Sequence, residues 1–165
     1  MKQSNQECAQ EGNNTNTKIS FYANDTYVGP NPSSVLIAGV DSAFFEFGST
    51  FAFDIPLFLE FEPNTTTNAI GKAKGIYTVY TRDDLSCSIT MNLFLDEYQD
   101  SVLTFLGVLN ITSPLREVPV VGGSGVFRGA TGYFLSQVVF NDPITSNNIV
   151  KYDIDVNLYQ NLLLH

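Results

Sequence analysis

Val150–Tyr159 reads VKYDIDVNLY. Val150, Tyr152, Ile154, Val156 and Leu158 alternate with Lys151, Asp153, Asp155 and Asn157, so apolar and polar side chains fall on opposite faces of an extended chain. A helix would scatter this pattern around its circumference. The stretch therefore predicts a β-strand with one buried face, the arrangement common in antiparallel sheets. Runs of the same kind recur upstream, at Thr17–Tyr22, Val35–Val40, Phe51–Glu60, Ala73–Thr81, Cys87–Leu95, Val102–Leu109 and Thr131–Phe140. Turn-forming clusters such as GPNPSS, EPNTTTN, TRDD and FNDPITSNN separate them, and no segment has a helical period. The chain reads as all-β, with about eight strands. Strands joined mostly in sequence leave two sheet edges to hide, and closure into an eight-stranded antiparallel β-barrel removes both; a β-sandwich is the alternative. A barrel of this size is filled by side chains or holds one small ligand at its mouth. The 13 Phe and 8 Tyr residues suit such a cavity, and equally suit ordinary core packing.

With 165 residues and 44% apolar side chains, the chain predicts one domain, over residues 18–160. The polar leader MKQSNQECAQEGNNTNTK predicts a flexible arm over residues 1–17, carried by a start methionine on a mature sequence rather than by a signal peptide. Residues 161–165 end in His165, the sole histidine, and read as a remnant of a purification tag. A folded part without histidine excludes Ser-His-Asp and Cys-His triads and the common zinc sites, so proton transfer falls to carboxylates, tyrosines or arginine-supported groups. A net charge of −9 without a basic cluster excludes nucleic acid as a partner. No apolar run reaches the roughly 20 residues of a membrane-spanning helix, so no membrane partner is expected. Cys8 and Cys87 could pair, which spacing alone leaves open. Sequons begin at Asn13, Asn24, Asn64 and Asn110, a density that favours a secreted glycoprotein.

Val118–Phe134, VPVVGGSGVFRGATGYF, places five glycines between apolar runs. A phosphate-binding loop would need a lysine and a following helix. Here there is no lysine, and the continuation YFLSQVVF alternates as a strand does, so the glycines are expected to make a tight strand-to-strand connection.

The same region, extended as REVPVVGGSGVFRGATGY, resembles the signature of the plant dirigent family, in the branch that includes pterocarpan-synthase-like members. Three more stretches match in the family's order: FYANDTYVGPNPSSVLIAG, FGSTFAFDIPL and GKAKGIYTVYT. The resemblance runs from about Ile19 to Tyr159. It implies an eight-stranded antiparallel barrel related to allene oxide cyclases, secreted to the plant apoplast, forming a homotrimer and needing no metal or organic cofactor. It also implies a phenolic ligand and, for dirigent action, a separate oxidase such as a laccase.

By the same resemblance Asp25 is the surviving acid of the family's first-strand pair, with Asn24 in place of its histidine. Tyr77 follows the Gly-x-Ala-x-Gly pattern, and period two sets it on one face with Gly75 and Val79, leaving Tyr80 on the other. Arg116 matches the pocket arginine six residues before the double glycine. These three are the expected catalytic residues; Asp41, Asp54, Glu60 and Phe127 are expected to bind substrate. Seven residues before the arginine, lignan-forming members carry an aspartate where this chain has Leu109. The family's C-terminal cysteine is absent, so its customary disulfide cannot form. The expected function is stereochemical control of phenoxy radical coupling. The alternatives are a lyase or cyclase forming a quinone methide, and a defence-related module that only binds a phenolic compound.

Overall fold

The computed structural model describes residues 14–39, 45–61 and 69–159. Its strands are β1 (Asn14–Asp25), β2 (Ser34–Ala38), β3 (Thr50–Phe58), β4 (Gly71–Val79), β5 (Ser86–Leu95), β6 (Val102–Asn110), β7 (Arg116–Ser124), β8 (Thr131–Asn141) and β9 (Asn148–Tyr159). Every pairing is antiparallel, in the order β1-β9-β8-β7-β6-β5-β4-β3-β2. The ring closes where Tyr22 meets Phe58 and Ala23 meets Leu57, between β1 and β3. β2 takes the other half of the same β3 edge, opposite Phe51–Phe53, so β1 and β2 together occupy one position in the barrel. The result is the closed eight-stranded barrel expected, and not a sandwich.

β1 begins earlier than its apolar pattern does. Asn14 already pairs with Tyr159, so residues 14–17, expected in the arm, are part of the sheet. The apolar pattern missed β7, because Pro119 and the Gly122–Gly123 pair interrupt it. Proline is tolerated because the ladder to β6 stops at Val120 and asks no N–H of Pro119. A bulge at Val121, between the Thr104–Gly122 and Phe105–Val120 pairs, shifts the alternation by one residue. Gly125 opens a single 3-10 turn at φ +60°, where glycine is free of strain. At Gly132 a Cβ would strike the Asp155 carbonyl, so the side chain is absent where β8 and β9 approach. The glycine-rich run is thus a strand, a turn and the start of another strand.

One half of the barrel is solid. Phe21, Phe105, Phe127 and Phe134 are wholly buried there with Leu57, Leu93 and Leu103. The other half, at the C-terminal ends of β1, β4, β6 and β8 and the N-terminal ends of β5, β7 and β9, encloses a cavity of about 380 Å³.

Candidate active site

Asp25 enters the cavity because β1 alternates: Phe21, Ala23 and Asp25 point inward in turn. It is only 9% exposed. Ser34 Oγ donates to Oδ1 at 2.5 Å, Tyr27 OH donates to Oδ2 at 2.7 Å, and Ser33 Oγ lies 3.4 Å from Oδ1. Burial nevertheless wins over these donors and holds the Asp25 carboxyl above the usual carboxylate range. The β1–β2 connection that supplies the donors is pinned reciprocally. Thr26 N–H donates to Ser33 Oγ at 2.8 Å, and Ser33 N–H to Thr26 Oγ1 at 2.9 Å. Tyr27 N–H donates across the mouth to Asn147 Oδ1 at 2.9 Å.

Tyr77, on β4, donates to Tyr27 OH at 3.3 Å, which makes a hydroxyl chain from Tyr77 through Tyr27 to Asp25. Burial raises both phenols far above their ordinary value, so both remain protonated. The Tyr77 ring stacks on Phe51 at 4.9 Å and Phe45 at 6.3 Å, which fixes its direction. Tyr80 points outward, as period two requires. A proton can pass along the chain by a switch of each hydroxyl from donor to acceptor, so Asp25 can act on a ligand next to it or next to Tyr77.

Arg116, at the start of β7, also lines the cavity. Its Nε donates to Ser113 O at 3.1 Å and its Nη2 to Ile111 O at 2.5 Å. Among the described residues it has no carboxylate partner, and its remaining donors are available to a ligand oxygen. Leu109 and Ile89 supply apolar wall, and Asp25 is the one acidic side chain of the cavity among the described residues. Cys87 is a free thiol in the same wall; it donates to Leu109 O at 3.2 Å, and burial pushes it up to about 11. Cys8 lies outside the described residues.

The structure therefore brings Asp25, Tyr77 and Arg116 together, but separates them from three of the other expected residues. Asp54 points out of the barrel, half exposed, 3.2 Å from Lys72 Nζ and 3.9 Å from Lys74 Nζ, because its neighbours Phe53 and Ile55 take the inward positions. Glu60 is exposed beyond the end of β3. Phe127 is buried in the solid half, 5.1 Å from the Tyr98 ring. Asp41, Asn13 and Asn64 lie outside the described residues. Asn24 stands at the outer end of β1, and Asn110 accepts from Thr112 N–H and Oγ1 at the end of β6. Sequence reasoning missed Tyr27 and Ser34. Period two carries Tyr27 to the same face as Asp25 and could have found it; Ser34 reaches Asp25 only through the turn between β1 and β2.

The family model described as Dirigent-like protein matches residues 16–157. Dirigent protein 23 of Arabidopsis thaliana is 32% identical over 85% of this chain and 76% of its own length. Pterocarpan synthase 1 of Glycine max is 36% identical over 87% of this chain and 79% of its own. The solved structure of a pterocarpan synthase dirigent protein superposes with a TM-score of 0.79 at 31% identity, covering 89% of this chain and 97% of that one. On matched sequence over nearly the whole barrel, and on the barrel itself, this chain is a member of the dirigent family.

Proposed function

We propose that the chain binds a phenolic, phenylpropanoid-type substrate and catalyses loss of water with ring closure through a quinone methide, the lyase or cyclase chemistry suggested by its similarity to pterocarpan synthases. The observation that carries this reading is the buried Asp25 carboxyl, raised towards its protonated form and joined to the Tyr27–Tyr77 hydroxyls in an otherwise apolar cavity. Asp25 donates its proton to a benzylic hydroxyl, the C–O bond breaks, and water leaves. The phenol conjugated to that carbon loses its proton as the methide forms, and Arg116 steadies the oxygen as its charge changes. A second phenol of the same molecule then attacks the methide carbon. Its proton and the earlier one restore the first phenol and the acid, so the balance is substrate to product plus water. Leu109 supports this reading over one that needs two carboxylates around bound phenols.

Stereo-directing control of radical coupling, with a separate oxidase such as a laccase, is the second reading. The aromatic wall of Phe45, Phe53 and Tyr77 favours it, because it can hold planar rings in one relative orientation. The test is chiral chromatography of products from isoflavanols and monolignols incubated with the protein, with and without laccase. Conversion without laccase is the expected result. Enantiomeric excess only with laccase replaces the lyase reading by the coupling one, and no effect in either arm leaves a binding module.

The proposal extends to assembly as a homotrimer. Ile76, Leu106 and Val108 form an exposed apolar patch on the outer face of β4–β6, with Ile76 and Leu106 flanking Thr90 in one row. Val108→Asp should reduce the mass in size-exclusion chromatography with light scattering from trimer to monomer while the barrel stays folded. An unchanged mass would exclude this face as the interface. Secretion to the apoplast with N-glycosylation belongs to the same reading, supported by the four sequons.

A further inference from the structure

The wall made by β7, β8 and β9 carries a polar row. Arg116 is the ladder partner of Ser136, and Ser136 that of Tyr152. Ser136 Oγ is buried with no hydrogen-bond partner among the described residues. Tyr152 is 8% exposed, and its hydroxyl also makes no hydrogen bond among them, although the ring lines the cavity. The ring is held without help from that hydroxyl: Phe21 stacks on it at 5.3 Å and Phe134 meets it edge-on at 5.1 Å. Phenylalanine would pack there equally well, so packing alone does not ask for the hydroxyl. A hydroxyl that lines the cavity and bonds to no protein group is open to a partner from outside the chain. Asp25 and Arg116 are the charged groups near it, and burial keeps the phenol protonated, so it can only offer its proton to an acceptor.

We propose that Tyr152 is a substrate-binding residue whose O–H, beside the Arg116 guanidinium, grips an acceptor oxygen on the ligand's aromatic ring, of the phenol or phenolate class. β7, which bears Arg116, is three strands round the barrel from β4, which bears Tyr77, while β1, which bears Asp25, adjoins β9, so the ligand is held beside Asp25 and faces Tyr77 across the cavity. Ser136, in the same row, keeps that wall polar behind the contact. The assignment rests on the reading that the cavity takes a phenolic ligand.

The test is Tyr152→Phe against wild type, titrated with 4-nitrophenol and followed by the absorbance of the probe. The expected result is about tenfold weaker binding, the loss of one hydrogen bond to a charged or polarised oxygen. The bound probe should also ionise at a higher pH in the variant than in wild type, because a donor to its phenolate has gone. The melting temperature should not fall, since the deleted hydroxyl bonds to nothing in the protein. Saturable binding with equal affinity and equal bound ionisation in both proteins overturns the assignment of Tyr152 alone. Weaker binding with a lower melting temperature gives the hydroxyl a structural role and also overturns it. No saturable binding by wild type overturns the phenolic reading and the assignment together.

Discussion

Asp25→Asn lowers turnover by about 10²–10⁴-fold, the usual worth of a positioned general acid, and leaves the barrel folded. The amide has the shape of the carboxyl and can still accept from Ser34 or Tyr27, but it cannot supply a proton to a leaving hydroxyl. The pH dependence separates this role from a structural one. Burial raises the folded-state value of Asp25 above its ordinary 3.8, so the native protein binds this proton more tightly than the unfolded chain does. Between the two values the unfolded state holds fewer protons, and stability falls as pH rises. That component is fully present below 3.8 and lost through the folded value, and the amide variant lacks it. The stability of Asp25→Asn relative to wild type should therefore improve with rising pH through that window, measured by thermal melts. Activity of wild type should decline over the same window as the acid ionises. Full turnover in Asp25→Asn would remove Asp25 from the chemistry, and a pH-independent stability difference would mean that the carboxyl is not desolvated.

Phe134→Ala should lower the free energy of unfolding by about 3–5 kcal/mol. Phe134 is wholly buried and meets the rings of Phe105 at 5.0 Å and Tyr152 at 5.1 Å, edge to face in both cases. Its removal loses the transfer energy of a phenyl group and leaves a void between strands that the closed ladder holds apart. β8 cannot move inward without breaking its pairing with β7 or β9. The check is guanidinium denaturation of variant and wild type at one protein concentration, because any self-association adds to apparent stability. A loss under about 1 kcal/mol would show that the barrel collapses into the space, and that this half is less rigid than its packing implies.

The two halves of the barrel were not equally legible. The solid half follows from alternation alone, since Ile154 and Val156 take the inward face that their period assigns. The cavity half mixes polar residues into that face, and there the pattern misleads. Asp54 matches a family acid yet points outward beside Lys72, because Phe53 and Ile55 take the two inward positions on either side of it. Phe127 lies on the glycine-rich signature, but the 3-10 turn at Gly125 directs it beneath Tyr98, away from the cavity. β7 was hidden because a proline and a bulge erase period two where the ladder to β6 ends.

By itself the sequence determined that the chain is all-β and closed, and it singled out Asp25, Tyr77 and Arg116, which line one cavity. Alternation, turn residues and a family signature are local, and they survive without knowledge of what packs against what. Only the tertiary structure decided which hydroxyls these residues meet. Tyr27 is separated from Tyr77 by 50 residues, and Arg116, Ser136 and Tyr152 lie on three strands whose register aligns them. Burial, which raises Asp25 and Tyr152, is a property of the closed barrel and not of any segment. A side chain's neighbours across a sheet are set by register, and register is settled only when the ring closes.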